Sequence, residues 1–150
     1  MRWVIQRVLE ADVRVNQQLV GQIGQGLLIL CGIEENDTER DADWLIKKTI
    51  QMRIFSDAED KMNLSVLDVK GSILFISQFT LHALTAKGNR PSFIRAANPD
   101  FARKLYTYSL SKLKETLAEN IQSGTFGADM KINSRLDGPV TIIVDSKSRE

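Results

Sequence analysis

Three short apolar runs constrain this chain more than anything else in it. They are Leu27-Leu28-Ile29-Leu30-Cys31-Gly32-Ile33, Ile73-Leu74-Phe75-Ile76 and Val140-Thr141-Ile142-Ile143-Val144, each bounded by glycine, proline or polar residues. Runs this short and this rich in branched side chains read as strands, the first two of them buried. Val4 to Val15 reads as a further strand, with an irregularity near Glu10-Ala11 that fits a bulge. Asn16-Gln17-Gln18 reads as a turn into Leu19–Ile23, and Gly24-Gln25-Gly26 as a second turn.

Two helices stand among these strands. Asp37 or Thr38 offers an N-cap, Thr38 with Asp41 approximates a capping box, and Ala42, Leu45, Ile46, Thr49 and Arg53 share one stripe, which predicts a helix from about Thr38 to Met52. Asn98-Pro99 is a cap followed by proline at the first helical position. It predicts a helix to about Glu119 that buries Phe101, Leu105, Leu110, Leu113 and Leu117. Further short strands are expected at Arg53–Phe55, Thr125-Phe126, Met130–Leu136 and Val140–Val144, with polar loops at Ser56–Asn63 and His82–Pro91. Hairpin-linked early strands with few helices argue for an α+β class, a mostly antiparallel, barrel-like sheet with two main helices packed on it.

At 150 residues the chain fits one domain, 1–150, with no linker, repeat or low-complexity stretch. A net charge of +1 offers no electrostatic footprint for coating a nucleic acid, so any RNA contact should be local. Cys31 is the single cysteine, which leaves no intrachain disulfide and no cysteine-rich metal site. Its apolar surroundings point to a buried thiol. The apolar runs are too short to span a bilayer, and Met1–Arg7 shows no secretory signal pattern, so a cytoplasmic location without membrane contact is expected. No His, Cys and Asp cluster has metal-ligand spacing, and neither metal nor other cofactor is expected.

Polar groups that could do chemistry gather where Ile73–Ile76 ends, in Ser77, Gln78 and Thr80, none of them a base at pH 7. His82 is the single histidine. In an extended segment it would share a face with Thr80, but a lone histidine in a polar loop is expected to be solvated. A Ser-His-Asp triad is therefore poorly supported. Closely spaced backbone N–H groups at a strand end are instead suited to holding an ester oxyanion. Gly138-Pro139 marks a break before Val140–Val144 whose carbonyl oxygens could hold an ammonium group; its bond isomer is not readable from residue types.

Taken together, ordered segments along the whole chain resemble the D-aminoacyl-tRNA deacylases. They include Ile5-Gln6-Arg7-Val8, Gly26-Leu27-Leu28, Arg53-Ile54-Phe55, Lys61-Met62-Asn63-Leu64, Ser77–Leu81, Lys87–Phe93, Phe126–Met130 and Asp137–Thr141. The resemblance implies a two-fold homodimer with active sites at the subunit interface, where Ser77, Gln78, Phe79 and Thr80 of one copy face Gly138-Pro139 of the other. It implies a cis Gly-Pro bond whose carbonyl oxygens accept the ammonium of a D-amino acid and reject L-residues, while glycine passes. Arg7 would support that turn, and Phe126 and Met130 would flank the terminal adenosine of an aminoacyl-tRNA. Thr80 is the family's candidate nucleophile; with no base beside it, hydrolysis assisted by the ribose 2′-OH of the tRNA is the preferred mechanism. The alternative is a nucleic-acid-binding dimer of the same fold without hydrolysis. Two departures stand out. Asp60 replaces a frequent glycine, a change expected to be neutral, and Leu136 replaces a usual asparagine, which puts the polar bracing of the Gly-Pro turn in doubt.

Overall fold

The computed structural model describes residues 1–149. In chain order the elements are β1 (Arg2–Val15), β2 (Gln18–Ile23), β3 (Gly26–Gly32), α1 (Glu39–Gln51), β4 (Phe55–Ser56), β5 (Met62–Leu64), β6 (Ser72–Ser77), α2 (Pro99–Leu117), β7 (Ile121–Ser123) and β8 (Lys131–Asp145). The architecture is the α+β, barrel-like one expected, with both helices against the sheet. β1 organises it: one edge pairs antiparallel with β3 and then β2, and the other edge pairs antiparallel with β8 along nearly its whole length. β2 curls back to touch β6 and β7, which nearly closes the sheet on itself.

Two pairings are parallel, β3 with β6 and β6 with β7. The sequence reading did not anticipate them, although a parallel pair needs a long crossover and α1 and α2 are the elements available to make it. The pairing explains the uninterrupted apolar run of β6. Ile73 and Phe75 pack into the core under the helices, while Leu74 and Ile76 enter a second cluster inside the curved sheet with Val8, Val13 and Ile23. A strand covered on both faces has no solvent side to mark with polar residues.

The helix signals are realised locally. Thr38 caps α1, and the Asp41 carboxylate accepts from both the Thr38 N–H and its hydroxyl at 2.8 Å. Burial pushes the Asp41 carboxyl up, but hydrogen bonds from Lys147, Thr38 and Ser146 outweigh it and hold the group well below the usual carboxylate range. Asn98 caps α2 by accepting from the Phe101 N–H at 3.0 Å. α2 buries Leu105, Leu113 and Leu117 as expected, leaves Phe101 and Leu110 half-buried, and also buries Tyr106. The Tyr106 hydroxyl donates to the Phe75 carbonyl at 2.7 Å, and its ring stacks on Phe75 with centroids 5.0 Å apart.

Several expected boundaries move. Thr125-Phe126 is not a strand: the chain pairs earlier, at Ile121–Ser123, and turns at Thr125–Ala128, where the Ala128 N–H donates to the Thr125 carbonyl at 3.1 Å. The loop expected over Ser56–Asn63 contains the start of β5, paired with β4. Asp60 occupies the left-handed region at φ +59° in the intervening turn, where glycine is the freer residue. The two strands expected at Met130–Leu136 and Val140–Val144 are one strand, β8, with the Gly-Pro break inside it.

Gly26 opens β3 directly against the backbone of Ser72, and a Cβ there would lie 1.8 Å from the Ser72 carbonyl oxygen. Backbone cannot rotate out of the way, so Gly26→Ala has to push β3 and β6 apart. The expected loss is at least ~3 kcal/mol, at the upper end of overpacking costs. It is read as a lowered urea midpoint; an unchanged midpoint would refute this account of the pairing.

Candidate active site

The carboxyl ends of the parallel pair β3 and β6 lie side by side, with Cys31 opposite Ser77. The Gln78 N–H donates to the Cys31 carbonyl at 2.7 Å, and the chain then winds into a single 3-10 turn over Phe79–His82. Within that turn the Leu81 N–H donates to Gln78 and the Ala83 N–H to Thr80, which leaves the N–H groups of Phe79 and Thr80 without a partner among the described residues. The first N–H groups of a turn have no carbonyl behind them, so a strand end running into such a turn presents donors outward. Arg2 steadies the turn from below, donating to the Leu81 carbonyl at 2.8 Å while it pairs with Asp145.

Beside this corner opens a cavity of about 670 Å³. Ser77, Gln78 and Phe79 form one wall, Phe126 and Met130 another, and the start of α2 from Asn98 to Ala102 a third. Phe126 is held rigidly by an aromatic ladder from the core. Trp3 meets Phe75 edge-on at 5.1 Å, Phe75 stacks on Tyr106, and Tyr106 lies 5.6 Å from Phe126. Five of the nine residues singled out from the sequence therefore share one cavity. The first turn of α2 and the Tyr106 support were not among them, because nothing in residue type marks a helix start as a cavity wall.

Thr80 is not part of the cavity lining. Its hydroxyl accepts a 2.6 Å hydrogen bond from the Gln78 side-chain amide. His82 does not pair with it and is not solvated as expected. The 3-10 turn directs the imidazole inward, where it is 1% exposed with Nδ1 3.4 Å from Glu34, itself gripped by Arg95 at 2.6 Å. Loop composition around His82 concealed that burial. Cys31 is buried as expected, and burial pushes its thiol up to about 12. Neither group is placed to act as a nucleophile or as a base for Thr80.

Gly138, Pro139 and Arg7 lie apart from this cavity within the same chain. The β1–β8 register passes from Gln6↔Thr141 to Val8↔Leu136, so Asp137-Gly138-Pro139-Val140 bulge out opposite the single residue Arg7. The Gly138-Pro139 bond is cis, and Gly138 takes φ +117°, a conformation open to glycine alone. Arg7 is nearly buried beneath the bulge. Its Nε lies 2.8 Å from the Asp137 carboxylate, and its Nη1 donates to the Ile54 carbonyl. The bracing left in doubt by Leu136 thus runs through the neighbouring Asp137, while Leu136 itself is 42% exposed. The irregularity expected near Glu10-Ala11 is a second bulge at Leu9, one residue earlier.

Among the described residues no group of three His, Cys, Asp or Glu side chains is arranged to hold a metal ion, and no helix is long and apolar enough to cross a membrane.

The family model for D-Tyr-tRNA(Tyr) deacylase matches residues 4–145. The chain is 56% identical to a D-aminoacyl-tRNA deacylase of Flavobacterium johnsoniae and 57% identical to one of Akkermansia muciniphila, each over 100% of both chains. Among solved structures it is similar to a c-Myc DNA Unwinding Element Binding Protein, with a TM-score of 0.92 and 37% identity over 97% of this chain and 98% of that one.

The burial that raises the Cys31 thiol predicts its silence toward alkylation. The folded protein at pH 8 is expected to resist iodoacetamide and to be labelled once unfolded in guanidinium. Rapid labelling of the native state would place a reactive thiol in the cavity wall after all.

Proposed function

The chain belongs to the D-Tyr-tRNA(Tyr) deacylase family, and from that membership we propose that it hydrolyses the ester of D-aminoacyl-tRNA, and of mischarged glycyl-tRNA, as a chiral proofreading step. The observation that carries the reading is the corner at Ser77–Thr80: two unpartnered N–H groups, of Phe79 and Thr80, in a turn whose Ser77, Gln78 and Phe79 line the same cavity as Phe126 and Met130. The terminal adenosine stacks between Phe126 and Met130, as single-stranded bases do on such platforms. The ester carbonyl then lies against the Phe79 and Thr80 N–H groups, which take the negative charge of the tetrahedral intermediate.

Water is the nucleophile. The ribose 2′-OH beside the ester relays its proton, the carbonyl carbon–ribose oxygen bond breaks, and the ribose oxygen leaves with a proton as free D-amino acid is released. The Gln78–Thr80 hydrogen bond supports a positioning role for Thr80: its oxygen is already an acceptor and no base stands beside it.

The ammonium end of the substrate is met by the Gly138-Pro139 turn of a second copy, whose carbonyl oxygens bind it and leave no room for an L side chain. A second copy is favoured by β8, whose other edge pairs with no strand among the described residues and whose outward residues include Ile143 at 67% exposed. A long unpaired edge beside exposed apolar side chains is a template for another chain. The active protein on this reading is a cytoplasmic homodimer. The similarity to a DNA-unwinding-element binding protein keeps one other reading, a dimer that binds nucleic acid without hydrolysis.

The deciding measurement is deacylation of D-tyrosyl-tRNA against L-tyrosyl-tRNA with chelator present. Release of the D-amino acid alone is expected; a folded dimer that hydrolyses neither ester would instead support the binding reading. Thr80→Ala is expected to keep activity within about tenfold, whereas a loss of ~10³-fold or more would make Thr80 the nucleophile.

A further inference from the structure

The aromatic ladder that fixes Phe126 does not end there. Arg103, on the second turn of α2, sets its guanidinium over the Phe126 ring with Cζ 4.7 Å from the centroid. The side chain is exposed and pairs with no carboxylate among the described residues. The acidic residue that lines the cavity, Asp129, is already bound to Lys131 at 2.9 Å. Arg103 is thus a charge left without a carboxylate partner, stacked on Phe126, one of the residues that line the cavity.

A guanidinium stacked on a ring keeps its N–H edge available, and that fork matches the oxygens of a phosphate. The first turn of α2 adds the positive end of a 19-residue helix to the same wall. In an aminoacyl-tRNA the negative charge nearest the terminal adenine is the phosphodiester on the 5′ side of that nucleotide. Resting on the reading of the cavity as the seat of the terminal adenosine, we propose that Arg103 binds this phosphodiester. It then selects a 3′ end that continues into a polynucleotide over a free aminoacyl nucleoside. A net charge of +1 implies that such contacts are few and local, and one arginine stacked on Phe126 meets that condition.

The test needs no turnover. Affinities of the full chain for adenosine and for adenosine 5′-methylphosphate, which carries the diester charge, are measured by NMR titration at several salt concentrations. The phosphorylated probe is expected to bind about tenfold more tightly, within the range of one charge-assisted contact. In Arg103→Ala the ratio of the two affinities should fall toward one, and the salt dependence of the phosphorylated probe should weaken by about one ion. Arg103→Lys should keep part of the ratio, since it retains a charge but not the planar fork. Equal binding of the two probes by the wild-type protein, binding of neither, or a ratio that survives Arg103→Ala would each overturn the assignment. Failure to hydrolyse D-tyrosyl-tRNA with the ratio intact would sink the catalytic reading and leave Arg103 as a phosphate contact.

Discussion

The parallel pairing of β3 with β6 is the constraint on which the rest of the structure depends. It runs from Gly26 beside Ser72 to Cys31 beside Ser77 and seals both faces of β6 in apolar contacts. Because the two strands point the same way, their carboxyl ends emerge together, and β6 runs out of partner at Ser77. The next residues turn, and the turn leaves the N–H groups of Phe79 and Thr80 without a partner among the described residues. A one-residue slip of this register would exchange Phe75 with Leu74 between the two cores and detach Tyr106 from the Phe75 carbonyl. The same slip would move Ser77 and Gln78 away from the cavity wall. Stability of the sheet and placement of the site are therefore one problem.

A second constraint acts at a distance. β1 and β8 pair along nearly their full length, yet four residues of β8 stand opposite Arg7 alone. An excess of that size ejects backbone from the ladder. Arg7 ties the bulge to the body of the protein instead, pairing with the Asp137 side chain and donating to the Ile54 carbonyl, a nearly buried charge with two partners. A buried guanidinium is costly without such partners. The bulge and its brace therefore stand or fall together, and the Gly138-Pro139 turn sits within β8 rather than on a loop.

How much of this was legible in the sequence follows from the range of each interaction. Thr38 with Asp41 and Asn98 with Pro99 act within four residues; the second helix start is legible to the residue and the first to within one, Asp37 and Thr38 both being cap candidates. Ile73–Ile76 could be recognised as a buried strand because its composition alone demands burial. The direction of its neighbour could not, since apolar residues serve parallel and antiparallel pairs alike. Tyr106 was missed because its partner Phe75 is 31 residues away, and His82 because its burial depends on Gly32, Glu34 and Arg95 on other segments. Thr125-Phe126 has two residues of high β preference, but the stretch opens a turn whose third residue is Gly127 at φ +78°. The grouping of Ser77, Gln78, Phe79, Phe126 and Met130 came from resemblance to a family rather than from residue physics. No periodicity links residue 77 to residue 130.

The chemistry open to the corner is limited by what surrounds Thr80. A hydroxyl becomes a nucleophile when a base removes its proton. Here the oxygen accepts from the Gln78 amide, the imidazole of His82 is turned into the core, and the Cys31 thiol stays protonated in its apolar surroundings. What the corner does offer is fixed dipoles: N–H groups that need no reorganisation when charge develops on an ester oxygen. Under the proposed hydrolysis, such donors act on an ester whose own neighbouring hydroxyl can move the proton. The proposed mechanism therefore assigns proton movement to the vicinal hydroxyl of the ribose ester and charge stabilisation to the protein.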